Sequence, residues 1–277
     1  MCTSLAMYYN MDHFKKAGIA DPPTDAAGFE DALKKLQKAG FETPFWIPNL
    51  WPAHLMFLSL LWQNGGEPYA EDGSAATFDD EAGVKALTWM TDQIKKGYSP
   101  PNVDENAQYL AFKNGKTSIT WDGIWQISDL DAAGINYGIA PLPAIGDEPG
   151  AWANSHHFFM TKQAADDQNR ANASKTFIGW MSRQSAAWSR AGMIPARNSA
   201  REESAFTGSK QYVLNDYLEN LHFLPPVPGL GDVQRPTLEV AVSQAVLGKR
   251  TPEQGLSSQA ENATKMMKAN LEKFGSA

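Results

Sequence analysis

Apolar residues recur at helical spacing through most of the chain, and glycine or proline punctuates them. Residues 11–17 form a short helix that Gly18 can stop, because glycine tolerates the left-handed conformation that follows a helix end. After the Pro22-Pro23 turn, Thr24 can cap a second helix in which Phe29, Leu33 and Leu36 share a face while Lys34, Lys35 and Lys38 take the others. Trp51-Pro52 opens a third helix, apolar nearly all round, with proline at the favoured first position and Gly65-Gly66 closing it. A fourth begins at Asp79 and Asp80, and a shorter one covers residues 105–114. Between the helices, short or alternating apolar stretches predict strands at residues 44–47, 117–121, 135–142 and 152–161. Downstream the pattern is helical again over residues 164–184, 185–191, 209–221, 233–247 and 252–274, the last opened by a capping box at Thr251 to Gln254. No repeat of 20–50 residues occurs, and the Pro- and Gly-rich link at 143–150 is the natural domain boundary. This is mixed α/β with too few strands for a full doubly wound sheet, so one lobe plus part of another is expected.

Charge and composition narrow the function. The 277 residues carry 24 Lys and Arg against 31 Asp and Glu, a net −7 with no basic cluster, which argues against a nucleic-acid partner. No uninterrupted apolar run approaches the roughly 18 residues needed to span a bilayer. The single cysteine, Cys2, excludes an internal disulfide and a cysteine-based zinc cage, and a small buried thiol is the expected role. The chain enters an apolar segment at once, without a signal or polar leader, so its start reads as the interior of a longer protein.

Several motifs suggest chemistry and lose it on inspection. Gly115-Lys116-Thr117 resembles the end of a phosphate loop, but a helix precedes it and a strand follows, the reverse of the order that aims helix N-terminal amides at an anion. It reads as a helix-stop turn. His156-His157 would point to opposite faces of a strand and so cannot chelate one metal; His156 is the better placed to reach a cleft, with its neighbour packed behind the sheet. There is no G-x-S-x-G, no H-E-x-x-H and no dinucleotide fingerprint. A glycosidase needs only two carboxylates, roughly 5–10 Å apart, and sequence does not exclude such a pair among 31 acids. Nine tryptophans are the clearest compositional signal, since a flat indole stacks on the C–H face of a pyranose. Trp62, Trp89 and Trp180 lie within helices and read as core, whereas Trp51, Trp125 and Trp152 stand beside turn signals and are the ligand candidates.

A resemblance enters with the run Leu5-Ala6-Met7-Tyr8-Tyr9-Asn10-Met11-Asp12-His13-Phe14-Lys15-Lys16-Ala17-Gly18 and the following Pro22-Pro23-Thr24. These residues, with Ala111 to Lys116, Trp121-Asp122-Gly123-Ile124-Trp125, Tyr137 to Pro143 and Gly192 to Arg197, resemble the family 1 extracellular solute-binding proteins of the maltose-binding-protein superfamily. The resemblance covers nearly the whole chain. It implies a periplasmic-binding-protein-like α/β fold of the two-lobed type II class, whose lobes close over a sugar and are then read by an ABC permease. It further implies a nearly complete C-terminal lobe, from residues 5–150 and 209–277, and a partial N-terminal lobe at 151–204. No catalysis, cofactor or metal is implied.

Carried over residue by residue, Trp125 falls where the family has a sugar-stacking tryptophan and Thr3 on a hinge position that contacts sugar. Trp51 and His54 lie near an aromatic and carboxylate cluster, although His54 and Leu55 depart from the family aromatic there, which argues against maltose itself. Asp232, Gln234 and Arg235 belong to a ligand loop, and Trp152 to His156 would line the cleft where the chain crosses between lobes. The implied partners are a sugar or oligosaccharide, permease subunits, and a separate chain supplying the N-terminal lobe or a second copy of this one. The implied location is periplasmic or extracellular, with membrane anchorage through an N-terminal lipoprotein segment absent from this sequence.

Overall fold

The run from Cys2 to Asn10 shows no alternation of apolar and polar residues, and a computed structural model, which describes residues 1–275, gives the reason. These residues form strand β1 (Cys2–Asn10), the centre of a five-stranded sheet buried on both faces. Strand β2 (Ile119–Gly123) pairs antiparallel along one edge of it, from Leu5 opposite Gly123 to Tyr9 opposite Ile119. Along the other edge lie β3 (Tyr137–Ala140), against residues 7–10, and β4 (Ala151–Ser155), against residues 2–4, both antiparallel. The two-residue β5 (Leu221–His222) adds in parallel to β4. Leu5 and Met7 face one core and Ala6 and Tyr8 the other, so every second residue is apolar on each side and the strand reads as one continuous apolar run.

The larger core lies under helices α1 (Met11–Ala17), α2 (Ala26–Lys38), α3 (Ala53–Gln63) and α4 (Glu81–Lys95). Every residue of α3 is buried, as its apolar circumference requires. Its Ser59 hydroxyl accepts the Trp152 N–H at 2.8 Å and donates to the Leu55 carbonyl, tying β4 to the helix. Its Gln63 side chain donates to the carbonyls of Pro143 and Gly150 and accepts from the Ile145 N–H at 2.8 Å. The 143–150 link is therefore sewn onto the core rather than loose. The smaller core on the opposite face gathers Tyr8, Phe112 of α5 (Ala107–Lys113), Leu130 of α6 (Ile127–Ala132), and Ile194, Phe206 and Leu214.

Several expected elements shift. The second helix is capped by Asp25, which accepts the Gly28 N–H at 2.7 Å, and not by Thr24. Pro52 sits at the cap of α3 rather than its first turn. Residues 44–47 make a single isolated bridge, Phe45 to Ile119, because one residue in contact does not extend a ladder. The strand expected to reach Thr161 stops at Ser155. The helix expected over 164–184 is two, α7 (Lys162–Ala165) and α8 (Gln168–Arg183), since Asp167 caps a new start by accepting the N–H groups of Asn169 and Arg170. Residues 185–191 and 210–220 are wound as tighter 3-10 turns, and the short α9 (Asn198–Arg201) and α10 (Ser204–Thr207) lie between them.

The helix expected at 233–247 is interrupted. Pro236 has no N–H, and its ring would strike the carbonyl four residues earlier, so a π turn at 235–239 separates α11 (Leu230–Gln234) from α12 (Val240–Val246). The final helix α13 (Pro252–Phe274) keeps its capping box. Around α8 the apolar residues are outside: Phe159 is 85% exposed, Phe177 53% and Trp180 51%. Among the described residues no helix is long and apolar enough to cross a membrane.

Candidate ligand-binding site

Strand β2 ends in a sharp turn that carries the most prominent residue of the site. Its last two residues are Asp122 and Gly123, after which residues 124–126 form a single 3-10 turn with Trp125 at its centre. Asp122 Oδ1 accepts the Gly123 N–H at 2.7 Å and the Gln126 amide at 3.2 Å, while the Tyr8 hydroxyl donates to the Gly123 carbonyl at 2.7 Å. The backbone on either side of Trp125 is thus held from the core, and the half-buried indole folds back over the bare Cα of Gly123.

Two more indoles meet it. The Trp51 ring, just before α3, lies 6.2 Å from that of Trp125 at 32°, and the Trp152 ring on β4 lies 6.3 Å from it at 87°. Together they wall a cavity of about 440 Å³, completed by Thr3, His54, Leu55, Asn154, Ser155, His156, Met193 and Gln234. Four buried polar atoms of this lining have no hydrogen-bond partner: Thr3 Oγ1, His54 Nδ1, Trp152 Nε1 and Gln234 Nε2. Each such group costs roughly 1–3 kcal/mol when left unpaired in the interior, so the set is equipped to be satisfied by a polar ligand. Burial, reinforced by the nearby Arg235 charge, pushes His54 down to about 4, so at neutral pH it is an uncharged ring able to donate and accept.

The structure brings together Thr3, Trp51, His54, Trp125, Trp152, His156 and Gln234. Asp232 and Arg235 do not line this cavity. Successive residues on a helix turn by about 100°, so with Gln234 facing inward its neighbour and the residue two before it face elsewhere. Arg235 points to solvent beside Glu239, at 3.6 Å, on a separate groove shared with Lys249. His156 reaches the cavity rim, but not from a strand face; it lies just past the end of β4, with its N–H donating to the Met1 carbonyl, and His157 is exposed rather than packed behind the sheet. Cys2 is only half-buried, and burial raises its thiol pKa. Gly115 does stop α5, with a positive φ of 65°.

Met193 joins the site without a motif of its own. It follows Gly192, whose positive φ of 86° and lack of a side chain let it press on the Trp125 turn; a Cβ there would lie 2.0 Å from the Ile124 carbonyl oxygen. A glycine that permits close approach is the only local signal.

Comparison with known proteins supplies the family. The sequence model for bacterial extracellular solute-binding proteins matches residues 1–213. The maltotriose-binding protein of Pyrococcus abyssi is 25% identical over 185 residues, 64% of this chain and 38% of its own. The maltooligosaccharide ABC transporter solute-binding lipoprotein of Streptococcus pneumoniae is 24% identical over 83% of this chain and 55% of its own. The sn-glycerol-3-phosphate-binding periplasmic protein of Escherichia coli is 23% identical over 95% and 65%. The chain thus spans between 38% and 65% of the length of these curated relatives. Among solved structures, the sugar-binding protein MalE of Xanthomonas citri superposes with a TM-score of 0.83 at 18% identity, over 99% of this chain and 71% of that one, which establishes the two-lobed periplasmic-binding-protein fold. With more than half of its residues matched by one family and its fold shared, the chain belongs to the bacterial extracellular solute-binding proteins.

Proposed function

We propose that this chain captures a neutral sugar or oligosaccharide, without catalysis, for an ABC importer. One observation carries the reading: three indoles in contact, four buried polar atoms without partners, and no Asp, Glu, Lys or Arg in the lining of a single cavity. Indole faces take the C–H side of a pyranose while the polar atoms take its hydroxyls. A phosphate ester, of the kind named for the Escherichia coli relative, calls for Arg or Lys at the site, and the lining has neither. The glycosidase alternative needs two carboxylates, and the lining has none.

On this reading residues 5–150 and 209–277 make up one lobe and the segment at 151–204 reaches into another. The exposed Phe158, Phe159, Phe177 and Trp180 support a covered face there, which a chain supplying a second lobe or a second copy of this chain would fit. Permease subunits are the further partners, the location is periplasmic or extracellular, and a lipid anchor is proposed by analogy with the Streptococcus pneumoniae lipoprotein.

Calorimetric titration with maltotriose and with sn-glycerol 3-phosphate tests the assignment. If a complete cleft binds near 1 μM, about −8 kcal/mol, then half of that free energy gives a Kd near 1 mM for this chain with maltotriose. The sugar should be recovered intact after prolonged incubation. Tighter binding of the phosphate ester, or hydrolysis of the maltotriose, would overturn the reading.

A further inference from the structure

Asp122 is 1% exposed, yet no cation faces it. Its carboxylate takes hydrogen bonds from the Gly123 N–H, from Gln126 and from Gln108, all neutral donors. The titratable groups turned toward it are two tyrosines, Tyr8 from β1 and Tyr109 from α5. Their hydroxyls are engaged elsewhere, that of Tyr8 with the Gly123 carbonyl and that of Tyr109 with Asp129, which Lys113 also binds. A buried carboxylate without a counter-charge is costly for folding, and an uncharged side chain would close the same turn more cheaply. What the charge does achieve is visible in the geometry. One carboxylate oxygen holds the N–H of Gly123 and the side chain of Gln126, the residues two before and one after the Trp125 indole.

We propose that Asp122 is a positioning residue for the Trp125 platform and that ligand affinity falls in mild acid as its carboxylate loses its charge. The inference rests on the reading of Trp125 as a ligand-contacting wall. Desolvation pushes the Asp122 acid up to about 6, so the change falls in an accessible range. A neutral acid is the weaker acceptor, so both holds on the turn slacken together. The protonated state has an arrangement of its own: Gln108 Oε1 is buried without a partner, and a turn of that amide lets it accept the new O–H. Two alternative hydrogen-bond arrangements behind one platform make a switch that protons bias.

The test uses the whole chain labelled with 5-fluorotryptophan, with the Trp125 fluorine resonance identified as the one missing from Trp125→Phe. Followed without ligand between about pH 4.8 and 7.8, that resonance should shift with a midpoint near 6. Maltotriose titrations should show affinity about tenfold weaker near pH 5 than near pH 7.5, equivalent to about 1.4 kcal/mol. Asp122→Asn should abolish the resonance shift and bind weakly at both pH values, whereas His156→Gln, which removes the imidazole at the cavity rim, should retain the resonance shift of the ligand-free chain. A Trp125 resonance that does not move, moves equally in Asp122→Asn, or stops moving in His156→Gln overturns the proposal. If Asp122→Asn does not fold, the parent and His156→Gln series decide alone: a midpoint near 6 in both supports the proposal, and its absence from either overturns it. A resonance that titrates as expected in a chain that binds no maltotriose at either pH would leave Asp122 as the positioning residue and exclude a malto-oligosaccharide as the ligand.

Discussion

Replacing Gly123 by alanine adds one methyl group, and that methyl points into the Trp125 indole. An ideal Cβ at this position lies 2.1 Å from two ring atoms and 2.2 Å from a third. Carbon atoms in ordinary contact sit roughly 3.5–4.0 Å apart, so the ring must retreat by about 1.5 Å or leave its rotamer. The backbone offers no relief and needs none: φ −73° and ψ 148° suit alanine, and both polar groups of Gly123 are already bonded, to Asp122 and to Tyr8. The half-buried indole is therefore what moves, toward the cavity it walls. Alanine at an unstrained glycine position stabilises by about 0.4–1 kcal/mol through the unfolded chain, which offsets part of the packing that the ring gives up against Trp51 and Trp152. The melting temperature should accordingly change by no more than about 4 °C. Ligand binding should not survive so well. Displacing a central aromatic anchor costs about 2 kcal/mol, roughly thirtyfold in Kd, which takes a millimolar ligand out of range. Calorimetry with maltotriose on Gly123→Ala, on Trp125→Ala and on the double variant checks this. Neither single variant nor the double should give measurable binding heat under conditions in which the parent does. A Gly123→Ala chain that binds like the parent, or that unfolds, would refute the account of the turn.

Three other outcomes follow from the same geometry. Because His54 is held near 4, below its ordinary 6.5, the unfolded chain takes up its proton first and stability is lost as pH falls through that window, by up to about 3 kcal/mol. Asp122, held near 6 and above its ordinary 3.8, takes up its proton first in the folded state and gains a similar amount over the same fall. Urea denaturation between pH 7 and about 4.5 should therefore show opposite slopes once each is removed: His54→Gln gains stability in acid relative to the parent and Asp122→Asn loses it. Ser59→Ala leaves the buried Trp152 N–H without its acceptor, a cost of about 1–3 kcal/mol readable in the same denaturation assay, and an unchanged midpoint would show that another acceptor takes its place. Paired substitution of Phe177 and Trp180 by serine should lower self-association measured by light scattering at high concentration, and a parent chain that is monomeric at every concentration would remove the case for an uncovered face.

Helices with a local signature were legible from the sequence alone. Gly18 and Gly115 end α1 and α5 in the left-handed conformation, Thr251 and Gln254 start α13, and the apolar circumference of α3 announced its full burial. Each signal lies within a few residues of its effect. The Asp122-Gly123 turn with Trp125 beside it was legible for the same reason, and so were Trp51 and Trp152 at the ends of elements. Other features belonged to the tertiary structure. Strand β1 has partners at positions 119–123, 137–140 and 153–155, and burial on both faces erased the alternation by which a strand is recognised. The phase of the helix beyond Gly229 could not be read, because its register decides whether Gln234, Asp232 or Arg235 faces the cavity and the π turn at Pro236 resets that register downstream. Nor could sequence show that Thr3, His54, Trp152 and Gln234 converge with a polar atom each left unpaired, or that the Trp125 ring rests on Gly123. Periodicity and capping act over one turn of chain, whereas a binding site is a set of distances between residues as far apart in sequence as Thr3 and Gln234, and packing alone sets those distances.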